Sequence, residues 1–267
     1  MLYFEIKVSL STMRGIKKLV LISIFCCIGS LVMAQGTDSI SPQKNSQFKE
    51  ALAPKKKIDT IGDVKYREDQ FYLGITYNLL SSVPSAVNIR GLSGGIHFGF
   101  LRDMPINKRR NIAIAIGAGL SFDAYGNTLF IGERQQEETI FTILTNEEYD
   151  FNFNRFSTAV IEAPIEFRWR NSTPTKYGFW RVYAGFRIGY AYWYQASLKQ
   201  ENNEVSQTDI PEFNQTRLAA TLSFGYNKVN FFAYYSINPF FDGAKTTNTM
   251  ESVEFKTIKL GIIFYIL

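Results

Sequence analysis

The chain has 267 residues, 15% of them aromatic, with 23 Phe, 15 Tyr and 19 Gly against 8 Pro, a balance that favours strands over helices. Its net charge of +5 gathers at the start: Lys7, Arg14, Lys17, Lys18 and Glu5 precede residue 35 and leave 25 basic against 23 acidic residues after it. That residue of charge gives no footprint for nucleic acid.

From Met13 the chain reads as a basic stretch, MRGIKK, then an apolar one, LVLISIFCCIGSLVM, then small residues at Val32 and Ala34. This is the pattern of a secretory signal peptide, with initiation at Met13 and cleavage after Ala34, so that residues 1–34 are removed. A membrane anchor is the alternative, but the 15 apolar residues fall short of the roughly 20 that span a bilayer. Cys26 and Cys27 lie inside this segment, and Phe25 before them is not the small residue a lipoprotein needs. The mature chain would then have no thiol for a disulfide, a zinc site or a nucleophile. Residues 35–69 are polar, carry three lysines at Lys55, Lys56 and Lys57, and lack periodicity. They read as a periplasmic tail or linker before a domain at 70–267.

Eight alternating segments follow, at 70–78, 95–101, 111–122, 158–170, 179–194, 216–226, 229–238 and 256–267. A period of two is a strand. In the third, Ile112, Ile114, Ile116, Leu120 and Phe122 oppose Ala113, Ala115, Gly117, Gly119 and Ser121. In the fourth, Ile161, Ile165, Phe167 and Trp169 oppose Glu162, Glu166, Arg168 and Arg170; in the fifth, Val182, Phe186 and Ile188 oppose Arg181 and Arg187. The sixth and eighth repeat the contrast, with Arg217 and Lys259 on the small face, whereas the seventh is apolar on both parities. A half-buried soluble strand would turn its second face to water. A greasy face on lipid and a small face lining a narrow closed lumen is the simpler account.

The connections alternate between long (79–94, 123–157, 195–215, 239–255) and short (102–110, 171–178, 227–228). The long ones hold 14 acidic and 5 basic residues, the short ones one Asp and 6 basic residues. Outer-membrane barrels have long external loops, short periplasmic turns and an even strand count. The expected fold is therefore an all-β, eight-stranded antiparallel up-and-down transmembrane β-barrel in a Gram-negative outer membrane, its N-terminus periplasmic. Trp169, Tyr177 and Trp180 at one end, and Tyr190, Tyr192, Trp193 and Tyr194 at the other, fit two aromatic belts. Pro164, mid-strand and without an N–H, predicts a bulge or a local break. TLFIG (128–132) and TIFTILT (139–145) are too short to span; they read as an external hairpin continuing the third and fourth strands, with a ten-stranded barrel as the alternative.

The segment VIEAPIEFRWR, Val160 to Arg170, with its acidic residue, spacer, Pro and alternating apolar run ending in a basic residue, resembles the central strand of the PorT-like outer-membrane β-barrel family of Bacteroidetes. The end of the signal, MAQG, and the Gly-aromatic strands also resemble it, over residues 70–267. The resemblance implies an eight-stranded outer-membrane barrel, and some members of that family serve type IX secretion and gliding.

Chemistry concentrates on the lumen side. Pairing the fourth and fifth strands across 171–178, so that partner numbers sum to about 349, sets Glu162 opposite Arg187 and Glu166 diagonal to Arg181 and beside Arg168. With Arg217 and Lys259 these form a ladder of charges that either packs the lumen or gates an ion path. His97, the single histidine, falls on the small parity and reads as a lumen residue rather than a catalytic base. Neither EF-hand spacing nor a phosphate-cradling glycine loop is present, so no metal or cofactor is expected. The resulting expectation is a non-enzymatic barrel whose partners are membrane lipid and proteins met through residues 35–69 or the loop 123–157. It would act structurally or as an anchor, because eight strands enclose no channel for a peptide. A narrow porin-like solute pore and a surface adhesin are the alternatives.

Overall fold

A computed structural model of the chain describes residues 69–134, 138–144, 151–171 and 178–266. The expected signal peptide, the tail as far as residue 68 and Tyr177 lie outside these residues. Along the chain run β1 (Gln70–Ser81), β2 (Gly94–Pro105), β3 (Ile112–Gly126), β4 (Leu129–Arg134), β5 (Glu138–Ile143) and β6 (Phe153–Arg170). They are followed by β7 (Trp180–Lys199), β8 (Glu204–Gln207), β9 (Thr216–Tyr226), β10 (Val229–Ser236) and β11 (Lys256–Ile266). Among the described residues, eight of these close an antiparallel barrel in the order β1-β2-β3-β6-β7-β9-β10-β11, and β11 returns to β1. Closure satisfies every strand edge within the ring, which a bilayer demands because it offers no water to unpaired N–H and C=O groups. Both ends of the barrel sequence, Gln70 and Ile266, stand at the short-turn end, where Phe71 pairs with Ile266.

The parities divide as their composition predicts. Ile114, Ile116, Ile161, Ile165, Phe167, Val182, Phe186 and Ile188 point outward and are exposed, Phe186 at 60%. Ile112 and Leu120 share that face, half-buried between neighbours. Inward lie Ala113 and Ala115, both at 0%. β10, ambiguous by its sequence, turns Val229, Phe231 and Tyr235 outward and buries Asn230, Phe232 and Tyr234. Trp169, Trp180 and Tyr226 are exposed at the short-turn end, with Trp180 and Tyr226 in edge contact at 5.6 Å. Tyr190, Tyr192 and Trp193 are exposed towards the opposite end of β7.

Three expectations are corrected. β6 and β7 pair with Glu162 opposite Gly189, two residues along β7 from the expected register, because the connecting turn closes between Asn171 and Trp180. The bulge in this ladder lies not at Pro164 but between Ala159 and Val160, where Tyr192 is left over; Tyr192 and Trp193 consequently both face out. On its other side Pro164 does coincide with a lapse: pairing of β3 with β6 stops after Ile116–Ile165 and resumes in the same register at Gly119–Glu162. Finally, β4 and β5 are indeed a hairpin, but they form a sheet of their own rather than a continuation of β3 and β6.

The small residues of the inner face make room for large ones from other strands. A Cβ on Gly74 would collide with the His97 imidazole, and one on Gly119 with the Tyr72 hydroxyl. At the closing seam, a Cβ on Gly261 would meet backbone, the Ile75 carbonyl and the Thr76 Cα. Backbone cannot rotate aside as a side chain can. Gly261→Val is therefore expected to destabilise the barrel by about 1–3 kcal/mol or more, the range for overpacking. It should show as earlier thermal unfolding in detergent micelles, with the outward-facing Leu260→Val as the near-silent control.

Candidate functional site

The lumen holds buried charge from several strands, and strand alternation decides who meets there. Nearest the short-turn end, Asp103 of β2 bridges two guanidiniums of β6: Arg168 Nη1 donates to its Oδ1 at 3.1 Å and Arg170 Nη1 to its Oδ2 at 2.9 Å. Arg168 Nε also donates to Glu166 at 3.1 Å, two residues away on the same strand. Asp103 and both arginines are wholly buried. The outer fringe is tied down by the backbone: Arg170 Nε donates to the Arg110 carbonyl, and the Asp103 N–H to Asp69 just before β1.

Midway up, Arg187 donates to Glu162 at 2.7 Å. The pair forms although the register differs from expectation, since a shift of two residues preserves the face and leaves the two side chains diagonal. Above it, Lys259 of β11 donates to Asp123 of β3 at 2.5 Å; Ser121 and Asn78 also donate to that carboxylate. Three of these cations also lie against aromatic faces. Arg168 stands over Tyr183 at 4.7 Å, Arg187 over Phe232 at 5.0 Å and Tyr72 at 5.2 Å, and Lys259 over Tyr234 at 4.5 Å. Carboxylate and ring together offset the desolvation of charges that no water reaches.

Two expected members stand elsewhere. Arg181 is opposite Arg170 and stacks over Phe179 at 4.4 Å, four positions along β7 from Gly185, the residue opposite Glu166, rather than diagonal to Glu166. Arg217 lies at the long-loop end, bonded to the Asn214 carbonyl and set over Phe240 at 4.6 Å. Asp103 and Asp123 were missed because they fall just beyond the apolar runs of their strands and look like loop charges. The signal that finds them is parity, for both continue the small faces of β2 and β3. His97 is buried between Tyr72 and Phe232, with ring centroids 6.0 and 4.8 Å away.

At the long-loop end the lumen is closed by an apolar cap to which all four long connections contribute. Val87, Leu129, Ile131, Phe141 and Ile143 pack with Ile210, Phe213, Phe240, Phe241, Val253 and Phe255 over Tyr125 and Phe156 of the barrel wall. The rings interlock at 5.2–5.8 Å in Tyr125–Phe240, Phe141–Phe241, Phe156–Phe241 and Phe241–Phe255. Short bridges knit the loops: Phe141 with Thr246, Phe213 with Phe241, and Ser85 to Glu251.

A search of curated proteins returned no match. Among solved structures, Ail, the attachment invasion locus protein of Yersinia pestis, is similar at 14% identity with a TM-score of 0.30, over 74% of this chain and 97% of its own. The family described as "Outer membrane protein beta-barrel domain" matches residues 38–242, more than half of the chain. The protein belongs to that outer-membrane β-barrel family.

Proposed function

We propose that the protein is a sealed, non-enzymatic outer-membrane barrel that serves as a structural or anchoring component, its partners met through the long-loop cap and the tail at 35–69. The observation that carries this reading is the cap: every long connection folds onto a lumen already filled by ion pairs and rings. A conducting barrel needs a continuous polar path, and here apolar side chains stand across it. Burial of His97 among Tyr72 and Phe232 argues for a packing role and against use as a base.

The acidic long loops and basic short turns support an orientation with the cap outside the cell and the tail in the periplasm. The resemblance of Val160–Arg170 to the PorT-like family extends the reading to a partner in a secretion or gliding assembly. A second reading, surface adhesion, is favoured by the cap itself, since loops that share a core present a fixed surface rather than a loose one.

In planar bilayers the wild-type protein is expected to add nothing to the bare-membrane current; discrete openings would overturn the sealed reading. Asp103→Asn removes the buried carboxylate that Arg168 and Arg170 share and should cost about 3–5 kcal/mol, read as thermal unfolding in micelles. Glu162→Gln should likewise unfold earlier while still passing no current, because the cap remains; new openings in this variant would make Glu162 a gate. Cross-linking in native envelopes, with and without residues 35–69, separates the roles. Adducts lost with the tail support the anchor, and adducts unchanged by its removal assign partner contact to the cap.

A further inference from the structure

Arg217 lacks what Arg168, Arg187 and Lys259 have, a carboxylate within 3.1 Å. Among the described residues it reaches none. Its Nη2 donates to the Asn214 carbonyl, while Nε and Nη1 are buried and have no hydrogen-bond partner. The residue is 4% exposed. A charge held in a dry interior without a counter-charge is costly, and aromatic faces offset only part of that cost.

The rings that cover Arg217 belong to the cap and not to the barrel wall. The guanidinium lies over Phe213 at 5.3 Å and Phe240 at 4.6 Å, one from the connection after β8 and one from the connection after β10. Those two connections are joined as a strap. The Asn214 N–H donates to the Phe240 carbonyl and the Asp242 N–H to the Glu212 carbonyl, both at 2.8 Å. Phe213 bridges to Phe241, and Asn214 Nδ2 donates to Asp242 at 2.9 Å. Lifting the strap would let water reach the guanidinium and would part no ion pair of the lumen.

We propose that residues 212–214 and 240–242 form a lid poised to open, with Arg217 as the buried charge that favours opening. Closed, the lid gains the burial of its rings against the desolvation of the guanidinium. Open, the rings meet water and the guanidinium regains its hydration. The lid is thus held less firmly than its aromatic packing alone would hold it. The inference goes beyond the sealed reading, since ion pairs and rings still fill the lumen beneath a lifted lid.

The amides of Asn214 and Asp242 are tied in the strap, so their deuterium exchange, measured on the full chain in micelles, reads lid opening. Arg217→Met removes the charge and keeps an apolar side chain beneath the rings. It is expected to slow exchange at both amides by roughly tenfold or more, as replacing a buried charge by a hydrophobe can stabilise a fold. Arg217→Gln, shorter and uncharged, should slow it to a smaller degree. Arg187→Met removes an equally buried cation that is paired, leaves Glu162 behind, and is expected to lower the unfolding temperature without slowing exchange at the lid. Exchange that is unchanged or faster in both Arg217 variants would overturn the proposal, and so would an Arg217→Met barrel that unfolds earlier than wild type.

Discussion

The interior of a closed eight-stranded barrel is only wide enough for side chains, and the rest of the structure depends on that narrowness. Whatever points inward is dry, so charge there must be matched within reach. Asp103, Glu166, Arg168 and Arg170 form one matched group, Glu162 and Arg187 a second, and Lys259 and Asp123 a third. Their partners come from different strands: β2 with β6, β6 with β7, β11 with β3. A one-residue slip of any of these strands would turn its charge into lipid. The pairs thus specify register as much as they hold the wall together.

The same narrowness explains the near-empty parity of β3. Gly, Ala and Ser are not a surface awaiting a ligand; they are the volume that neighbours occupy. His97 lies where Gly74 has no side chain, and the Tyr72 hydroxyl where Gly119 has none. Tyr72, Tyr183, Phe232 and Tyr265 fill the middle of the lumen and provide the ring faces on which the cations rest. Small and large residues must therefore be read across strands, since along one strand the small face looks merely vacant.

The division between lipid face and lumen face was legible in the sequence because it needs only a period of two. Register was less so. Counting back from the turn put Glu162 opposite Arg187, whereas the turn closes later and Tyr192 is bulged out; neither leaves a mark in hydrophobic alternation. Asp103 and Asp123 were hidden because β2 and β3 run past the point where their outward residues cease to look like membrane. The cap was invisible for another reason. Ile210, Phe213, Phe240, Phe241 and Phe255 come from connections without periodicity, and only the closed ring brings those connections together. β10 illustrates the limit of parity: with aromatics on both faces, its orientation is set by its neighbours, Phe232 and Tyr234 being turned inward beside Gly261 and Lys259.

The two ends of the lumen are closed by opposite chemistry. At the short-turn end the closure is ionic and buried, with Asp103 held by two guanidiniums and by strand backbone, so opening it would strand charge in a dry interior. At the long-loop end it is apolar, made by loops joined through a few bridges, so opening it would expose rings to water without breaking an ion pair. Removing a buried partner costs more than parting apolar surfaces of loops that remain hydrated outside. Conformational change in this barrel is therefore expected to begin at the cap, while the charged layers keep the wall in register. That asymmetry suits the proposed role, in which the long loops make the contacts while the strands stay fixed in the membrane.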